Sequence, residues 1–220
     1  MPILNEAAVL DTVLQPLQAL RRQGCELIVV DGGSNDASVE IAGPWADRVM
    51  TAPAGRAVQM NAGAQVAQGD ALWFLHGDSL PPPDPDRLIA KALQFPNRVW
   101  GRFNVRLSGS RPVLRMVETL MNWRSCLTGI ATGDQGIFVR RSAFEKVGGY
   151  PVIPLMEDIA LSRTLKRISR PACISQRLMT SSRRWEQNGI FRTIALMWRL
   201  RLVYYLGADP ARLARLYYGR

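Results

Sequence analysis

Carboxylates stand in this chain where apolar runs stop. Val29-Val30 leads into Asp31-Gly32-Gly33-Ser34-Asn35-Asp36, and Leu72-Trp73-Phe74-Leu75 leads into His76-Gly77-Asp78. In an open α/β sheet, ligands bind beyond the carboxyl ends of the strands. An acid delivered there on a rigid strand is placed to hold a metal ion or a phosphorylated ligand. The Asp31 stretch suits a nucleotide base and ribose, because its glycines admit close backbone approach and its Ser, Asn and Asp can cap a helix. It is not the GxGxxG of dinucleotide sites. Both stretches also have a plainer reading as turns with caps. Glu157-Asp158 puts paired acids at a helix start, where the helix dipole stabilises them whatever else they do.

These residues need elements to carry them, and the pattern supplies strands alternating with helices. Ile3-Leu4 is the tail of a strand whose earlier residues are absent, so the first strand is expected to be truncated. Asn5 is the expected N-cap of a helix striped by Val9, Val13, Leu14, Leu17 and Leu20, with Pro16 as a kink. Strands follow at 26–30, 48–52 and 71–75, with a helix over 54–68 and another over 86–94. Such alternation predicts an α/β fold with a mainly parallel central sheet and crossover helices. The second half is more mixed: a half-buried strand over 98–107, a helix over 112–126, a short strand at 136–139 and a helix over 190–206. One domain over 1–220 is expected, with residues 1–100 as its nucleotide-binding half and 101–220 as its acceptor half.

Composition limits the partners. The 220 residues are 47% hydrophobic and carry a net charge of +10, so disorder is not expected. Residues 1–100 hold 7 basic against 11 acidic side chains, a net of −4, whereas residues 101–220 hold 21 against 7, a net of +14. A basic half attracts nucleic acid, anionic lipid or phosphorylated substrates. Cys25, Cys126 and Cys173 have no metal spacing and are expected as buried free thiols in a reducing compartment. No signal peptide and no membrane-spanning run is expected. The basic helix over 190–206, with Phe191, Trp198 and Tyr204 among its apolar residues, suits either an anionic membrane surface or packing on the core.

Pro2-Ile3-Leu4-Asn5-Glu6, Asp31–Asp36, His76-Gly77-Asp78 and Met156-Glu157-Asp158, in this order and at these spacings, resemble a family 2 glycosyltransferase. Thr180–Trp185 resembles more narrowly a small stand-alone bacterial subgroup associated with radical-SAM and selenium-related genes. The resemblance implies the GT-A fold, a nucleotide-diphosphate sugar as donor and a divalent cation, Mg²⁺ or Mn²⁺. It implies that Pro2 and Glu6 flank the nucleoside, that Asp31 binds the base, and that Arg56 approaches the base or phosphates. Gly77 and Asp78 would then lie against the donor, with Asp78 as the last acid of the family's DxD motif, ligating the cation. Here His76, the single histidine, replaces the first acid of that motif, and contacts metal or ribose or only packs.

The same resemblance makes Asp158 the base for the acceptor hydroxyl and Glu157 its orienting neighbour. Asp134 and Gln135, between Gly133 and Gly136, would bond sugar hydroxyls or hold the loop that faces them. Arg183, Arg184 and Trp185 would lie over the donor phosphates. The fuller QxxRW pattern of processive members is missing, which points to a single transfer. The expected function is an inverting, metal-assisted sugar transfer to a small-molecule or lipid-linked hydroxyl acceptor. Its expected place is the cytoplasm or the inner face of the plasma membrane, with no nucleic acid as partner. The competing classes are an inactive GT-A scaffold that binds nucleotide, kept open by His76, and a basic nucleic-acid-binding module, for which no reader motif is present.

Overall fold

The computed structural model describes residues 1–219, with Arg184 described by its backbone alone. Three parallel strands form the first sheet: β1 (Pro2–Ile3), β2 (Ile28–Asp31) and β3 (Arg48–Thr51). Ile3 stands opposite Asp31, and Asp31 opposite Thr51, so all three strands end at one level. Helices α1 (Ala7–Arg22), α2 (Ser38–Ala42) and α3 (Arg56–Val66) make the crossovers. α1 buries Leu10, Val13, Leu14 and Leu17 and runs unbroken through Pro16, which lies on its exposed face.

Asn5 does not cap α1. It takes a left-handed φ of 54°, and Glu6 occupies the capping position without a side-chain bond. The helix start is held instead by the loop after β2. Asn5 N–H donates to Ser34 Oγ at 2.9 Å, Glu6 N–H to Ser38 Oγ at 2.9 Å, and Ala7 N–H to Asp36 Oδ2 at 3.1 Å. Asn5 returns one bond, its Oδ1 accepting from Asn35 N–H at 2.8 Å. The orphan donors of the helix start are thus satisfied from a segment 29 to 32 residues away.

The second sheet has the order β4-β7-β6-β8-β5. Its strands are β4 (Ala71–Trp73), β5 (Ser79–Leu80), β6 (Trp100–Leu107), β7 (Phe138–Arg140) and β8 (Ala172–Thr180). β6 and β8 run parallel and the other pairs antiparallel, so β4, although it lies in the first half of the chain, belongs to the mixed sheet. The apolar run over 71–75 is a shorter strand than its composition implies. Only three residues are strand, Ala71 is exposed, and Phe74 N–H extends the pairing once more to Ile137 O at 2.9 Å.

β8 has no counterpart among the sequence expectations, and its pairing explains why. Phe103 pairs with Ile174 but Asn104 with Arg177, so β8 carries extra residues at a bulge. Ser175, Gln176 and Arg177 are all exposed there, which breaks the alternation that would announce a strand.

The remaining helices are α4 (Pro85–Leu93), α5 (Pro112–Thr128), α6 (Arg141–Lys146), α7 (Glu157–Leu165), α8 (Arg183–Asn188), α9 (Ile190–Tyr205) and α10 (Pro210–Tyr218). α9 packs through Ile190 and Ile194 on Leu114, Val117 and Met121 of α5, and through Leu200 on Leu155, Met156 and Leu213. It therefore rests on the core by one face, and its other face exposes Phe191, Trp198, Leu202 and Tyr205. The three thiols are free, but Cys126 is exposed and Cys25 and Cys173 are half-buried, against the expectation that all would be buried.

Candidate active site

The acids gather around Gly133, at the loop ends of the first sheet and β4. Gly133 opens a short 3-10 turn, Gly133–Gln135, and its N–H donates to Asp158 Oδ2 at 2.8 Å. A Cβ on Gly133 would sit 2.5 Å from His76 Cε1 and Nε2, so glycine is required for the ring to lie against the turn. His76 Nδ1 in turn lies 3.6 Å from Asp134 Oδ1. Asp158, Gly133, His76 and Asp134 are thereby one contiguous group, although they come from three places in the chain.

α7 delivers Glu157 and Asp158. Met156, just before it, takes a left-handed φ of 71°, a conformation costly for a residue with a side chain. Burial of Met156 against Leu200 and Leu213 holds it there. Asp158 Oδ1 accepts from Ile159 N–H at 2.7 Å. Glu157 is buried and paired with Arg56, whose Nε lies 3.1 Å from its Oε1. Burial pushes the Glu157 carboxyl above its ordinary range, the adjacent Asp158 adds to the rise, and Arg56 opposes both.

Asp78 follows β4 at a turn where Gly77 approaches the first strand. A Cβ on Gly77 would lie 3.2 Å from Ile3 Cγ2 and 3.5 Å from Glu6 Cγ. Burial raises the Asp78 carboxyl; His76 pulls it down and Asp134 pushes it further up. Asp134 goes the other way: burial would raise it, but the His76 ring, with Arg56 and Arg201 behind it, holds it below the ordinary range. Glu6 is raised by burial and then by Asp78, against the opposing charge of Arg183. Arg183 Nη2 reaches Glu6 Oε2 at 3.7 Å, which brings the start of α8 over the end of β1. Pro2 is buried within β1.

Several of the expected contacts belong to the scaffold. Asp31 is 3% exposed and accepts from Gly33 N–H at 2.8 Å and from the Ser34 N–H and hydroxyl, so its carboxylate closes its own loop. Burial would raise it, yet those bonds hold it below the ordinary range. Gln135 is fully buried; it donates to Ser125 Oγ at 2.9 Å and accepts from Thr132 N–H at 3.2 Å, so it holds the loop rather than facing a sugar. Trp185 is half-buried on the core patch shared by α5 and α9. The Arg184 side chain lies outside the described residues.

Sequence reasoning passed over Arg124 on α5 and counted Arg201 on α9 only among the arginines of the basic helix, yet both stand near Asp158. Nothing in their local spacing marks them, because their neighbours lie on distant segments. A cavity of about 820 Å³ lies elsewhere, between Met1, the start of β2 and β4, and is largely apolar.

Among the described residues no three His, Cys, Asp or Glu side chains converge as a preformed metal centre. His76, Asp78 and Asp134 nonetheless fit a divalent cation in part. Asp78 and Asp134 repel each other, which a cation would relieve, and Mg²⁺ is usually bound by one or two carboxylates together with substrate phosphates.

Residues 1–148 match the model of glycosyl transferase family 2. An uncharacterized glycosyltransferase of Mycobacterium tuberculosis is 33% identical over 182 residues, which is 78% of this chain and 67% of that protein. An undecaprenyl-phosphate 4-deoxy-4-formamido-L-arabinose transferase of Pseudomonas paraeruginosa is 30% identical over 153 residues, 64% of this chain. The match spans 44% of that longer transferase. The mannosyltransferase PcManGT from Pyrobaculum calidifontis, solved with GDP-mannose and Mn²⁺, superposes with a TM-score of 0.60 at 21% identity, over 81% of this chain and 54% of that one. With α/β layers, a parallel first sheet and acids at the strand ends, the chain belongs to glycosyl transferase family 2 and has its GT-A fold.

Proposed function

We propose that this chain transfers a sugar from a nucleotide-diphosphate sugar to an acceptor hydroxyl, in a single step with inversion. The observation that carries the reading is the convergence of Asp158, His76, Asp134 and Asp78 around Gly133. In the reaction the acceptor oxygen attacks the anomeric carbon as its proton passes to Asp158. The bond from that carbon to the donor phosphate breaks, and the nucleoside diphosphate leaves with the electron pair. Asp158 suits the base role because the Gly133 and Ile159 N–H groups fix its carboxylate in place. Glu157, locked to Arg56, orients the helix start beside it.

A divalent cation would be held by Asp78 with His76 or Asp134, and its chemistry there is charge neutralisation on the donor diphosphate. The Mn²⁺ and GDP-mannose of the Pyrobaculum enzyme support this choice. Glu6, Gly77 and Arg183 line the donor side. Among the described residues no helix is long and apolar enough to cross a membrane. The exposed aromatic face of α9 supports a peripheral place on an anionic bilayer, at the inner face of the plasma membrane, where a lipid-linked acceptor would be met.

The deciding experiment is transfer from a panel of UDP-, GDP- and TDP-sugars with Mn²⁺, comparing the native chain with Asp158→Asn. Loss of about 10²- to 10⁴-fold in kcat, with nucleotide binding kept, is expected of a removed general base. Unchanged transfer removes Asp158 from that role. Nucleotide binding with no transfer by the native chain would favour the inactive scaffold instead.

A further inference from the structure

Two of the three cysteines stand opposite each other where the last turns of α5 cross β6 and β8. α5 descends the sheet in step with β6: Glu118 Oε2 accepts from Leu107 N–H at 3.0 Å, and one turn on, Asn122 Oδ1 accepts from Val105 N–H at 2.7 Å. Four helical residues rise about 6 Å, close to the advance of two strand residues, so the next turn brings Cys126 to the level of Phe103 and Arg102. Arg102 Nη2 donates to Asn122 O at 2.8 Å, which puts its side chain on the α5 face of the sheet. Cys173 is the β8 partner of Arg102 in the parallel register, and paired residues of neighbouring strands share a face. A third contact closes the frame. A Cβ on Gly129, at the end of α5, would lie 3.4 Å from Pro171 Cδ, just before β8. Cys126 is exposed and Cys173 half-buried, so an oxidant from solvent meets Cys126 first. Burial pushes the Cys173 thiol up to about 11, its contact with the Cys126 thiol adds to the rise, and Arg102 opposes it. Cys173 therefore keeps its proton at neutral pH.

We propose that Cys126 and Cys173 are a dithiol that a hydroperoxide closes to a disulfide, tethering the last turn of α5 to β8. The Cys126 sulfur attacks one peroxide oxygen; an S–O bond forms as the O–O bond breaks, an alcohol or water leaves, and Cys126 becomes a sulfenic acid. The Cys173 sulfur then attacks the Cys126 sulfur. The S–S bond replaces the S–O bond, and the Cys173 proton leaves with the departing hydroxide as water. The two thiols give up two electrons, and the peroxide takes them up. A disulfide holds its Cα atoms about 4.4–6.8 Å apart, so closure draws the α5 turn onto the strand. That turn also supports the candidate site. Ser125, next to Cys126, accepts from Gln135 Nε2 at 2.9 Å, and Gln135 ends the Gly133–Gln135 turn whose first N–H holds Asp158. The tether thereby reaches the loop beside Asp158. Cys25, between α1 and β2, is outside this arrangement.

The full chain is treated with hydrogen peroxide, alkylated, and digested without reductant for mass spectrometry. The expected product is a Cys126–Cys173 linked peptide, lighter by two hydrogens than its two thiol peptides together and released by dithiothreitol. Cys25→Ser should give the same link, and Cys126→Ser and Cys173→Ser should each abolish it. In Cys173→Ser the sulfenic acid should stay on Cys126, where dimedone traps it. Amide deuterium exchange over residues 129–136 should slow by about three-fold or more on closure, in the native chain and in Cys25→Ser, and recover with dithiothreitol. Peroxide should produce no such slowing in Cys126→Ser or Cys173→Ser. No link within one chain, links only between two chains, or Cys126 oxidised with Cys173 still a free thiol would overturn the pair. A link with unchanged or faster exchange over 129–136 would overturn the tether to the loop. Because neither readout is sugar transfer, a native chain inactive in transfer would count against the transferase reading and leave this result standing.

Discussion

At the scale of single residues, the site is held together by small contacts with large leverage. Gly133 presents an N–H to Asp158 and leaves room for the His76 ring, and a methyl group there would overlap two ring atoms at 2.5 Å. Gly133→Ala should therefore push the ring away from Asp134 and tilt the base, lowering kcat by about 10- to 100-fold, since ångström-scale misplacement costs that much. Steady-state kinetics with an unchanged melting curve would show it. Asp31 yields a stability prediction instead. Its folded pKa lies below the ordinary value, so its contribution is present above the unfolded pKa and lost as pH falls through the folded one. Asp31→Asn should melt several degrees lower at pH 7, and the gap should close below about pH 4. Melting curves from pH 7 to pH 3 check the sign. Asp31, Asp78 and Asp158 were legible from the sequence because each stands at the end of an apolar run or the start of a helix. Arg124 and Arg201 were not, because they approach Asp158 only in three dimensions.

At the scale of elements, legibility followed periodicity. The helices over 7–22, 112–128 and 190–205 repeat apolar residues at helical spacing, and all are present near their expected limits. β8 was hidden by its bulge at residues 175 and 176. α10 was not expected, yet its start was marked: Asp209 accepts from Ala211 N–H at 3.0 Å, Pro210 opens the helix, and Gly219 closes it. The join between α5 and the second sheet was invisible, because it depends on Glu118, a charged residue on a helix face. Glu118 is 2% exposed; it accepts from Leu107 N–H at 3.0 Å and faces Arg115 and Arg177, each at 3.4 Å. Removing one partner of a buried, hydrogen-bonded charge costs about 3 to 5 kcal/mol. The exposure of Arg177 places this site toward the lower end of that range. Glu118→Ala should lower unfolding free energy by about 3 kcal/mol in urea titrations, with Glu118→Gln losing less because the bond from Leu107 survives.

At the scale of the whole molecule, charge and apolar surface are segregated in the same direction. The acidic half carries the strand ends that would meet a nucleotide and a cation, and the half with net charge +14 carries α5 and α9 with their exposed aromatic faces. An anionic bilayer would receive both features at once, the arginines at the head groups and the tryptophans at the acyl boundary. A neutral bilayer receives only the second. The chain should therefore sediment with vesicles containing phosphatidylglycerol and barely with pure phosphatidylcholine. Raising salt from 0.1 to 1 M shortens the screening length from about 10 to 3 Å and should reverse most of the binding. Replacing Trp123 and Trp198 together with Ser should weaken vesicle partitioning by about ten-fold, each ring contributing a fraction of its buried area. Transfer to a water-soluble acceptor should survive that double replacement, because both rings are mostly exposed to solvent. Binding that ignores both salt and lipid charge would mean that these faces meet a protein surface instead.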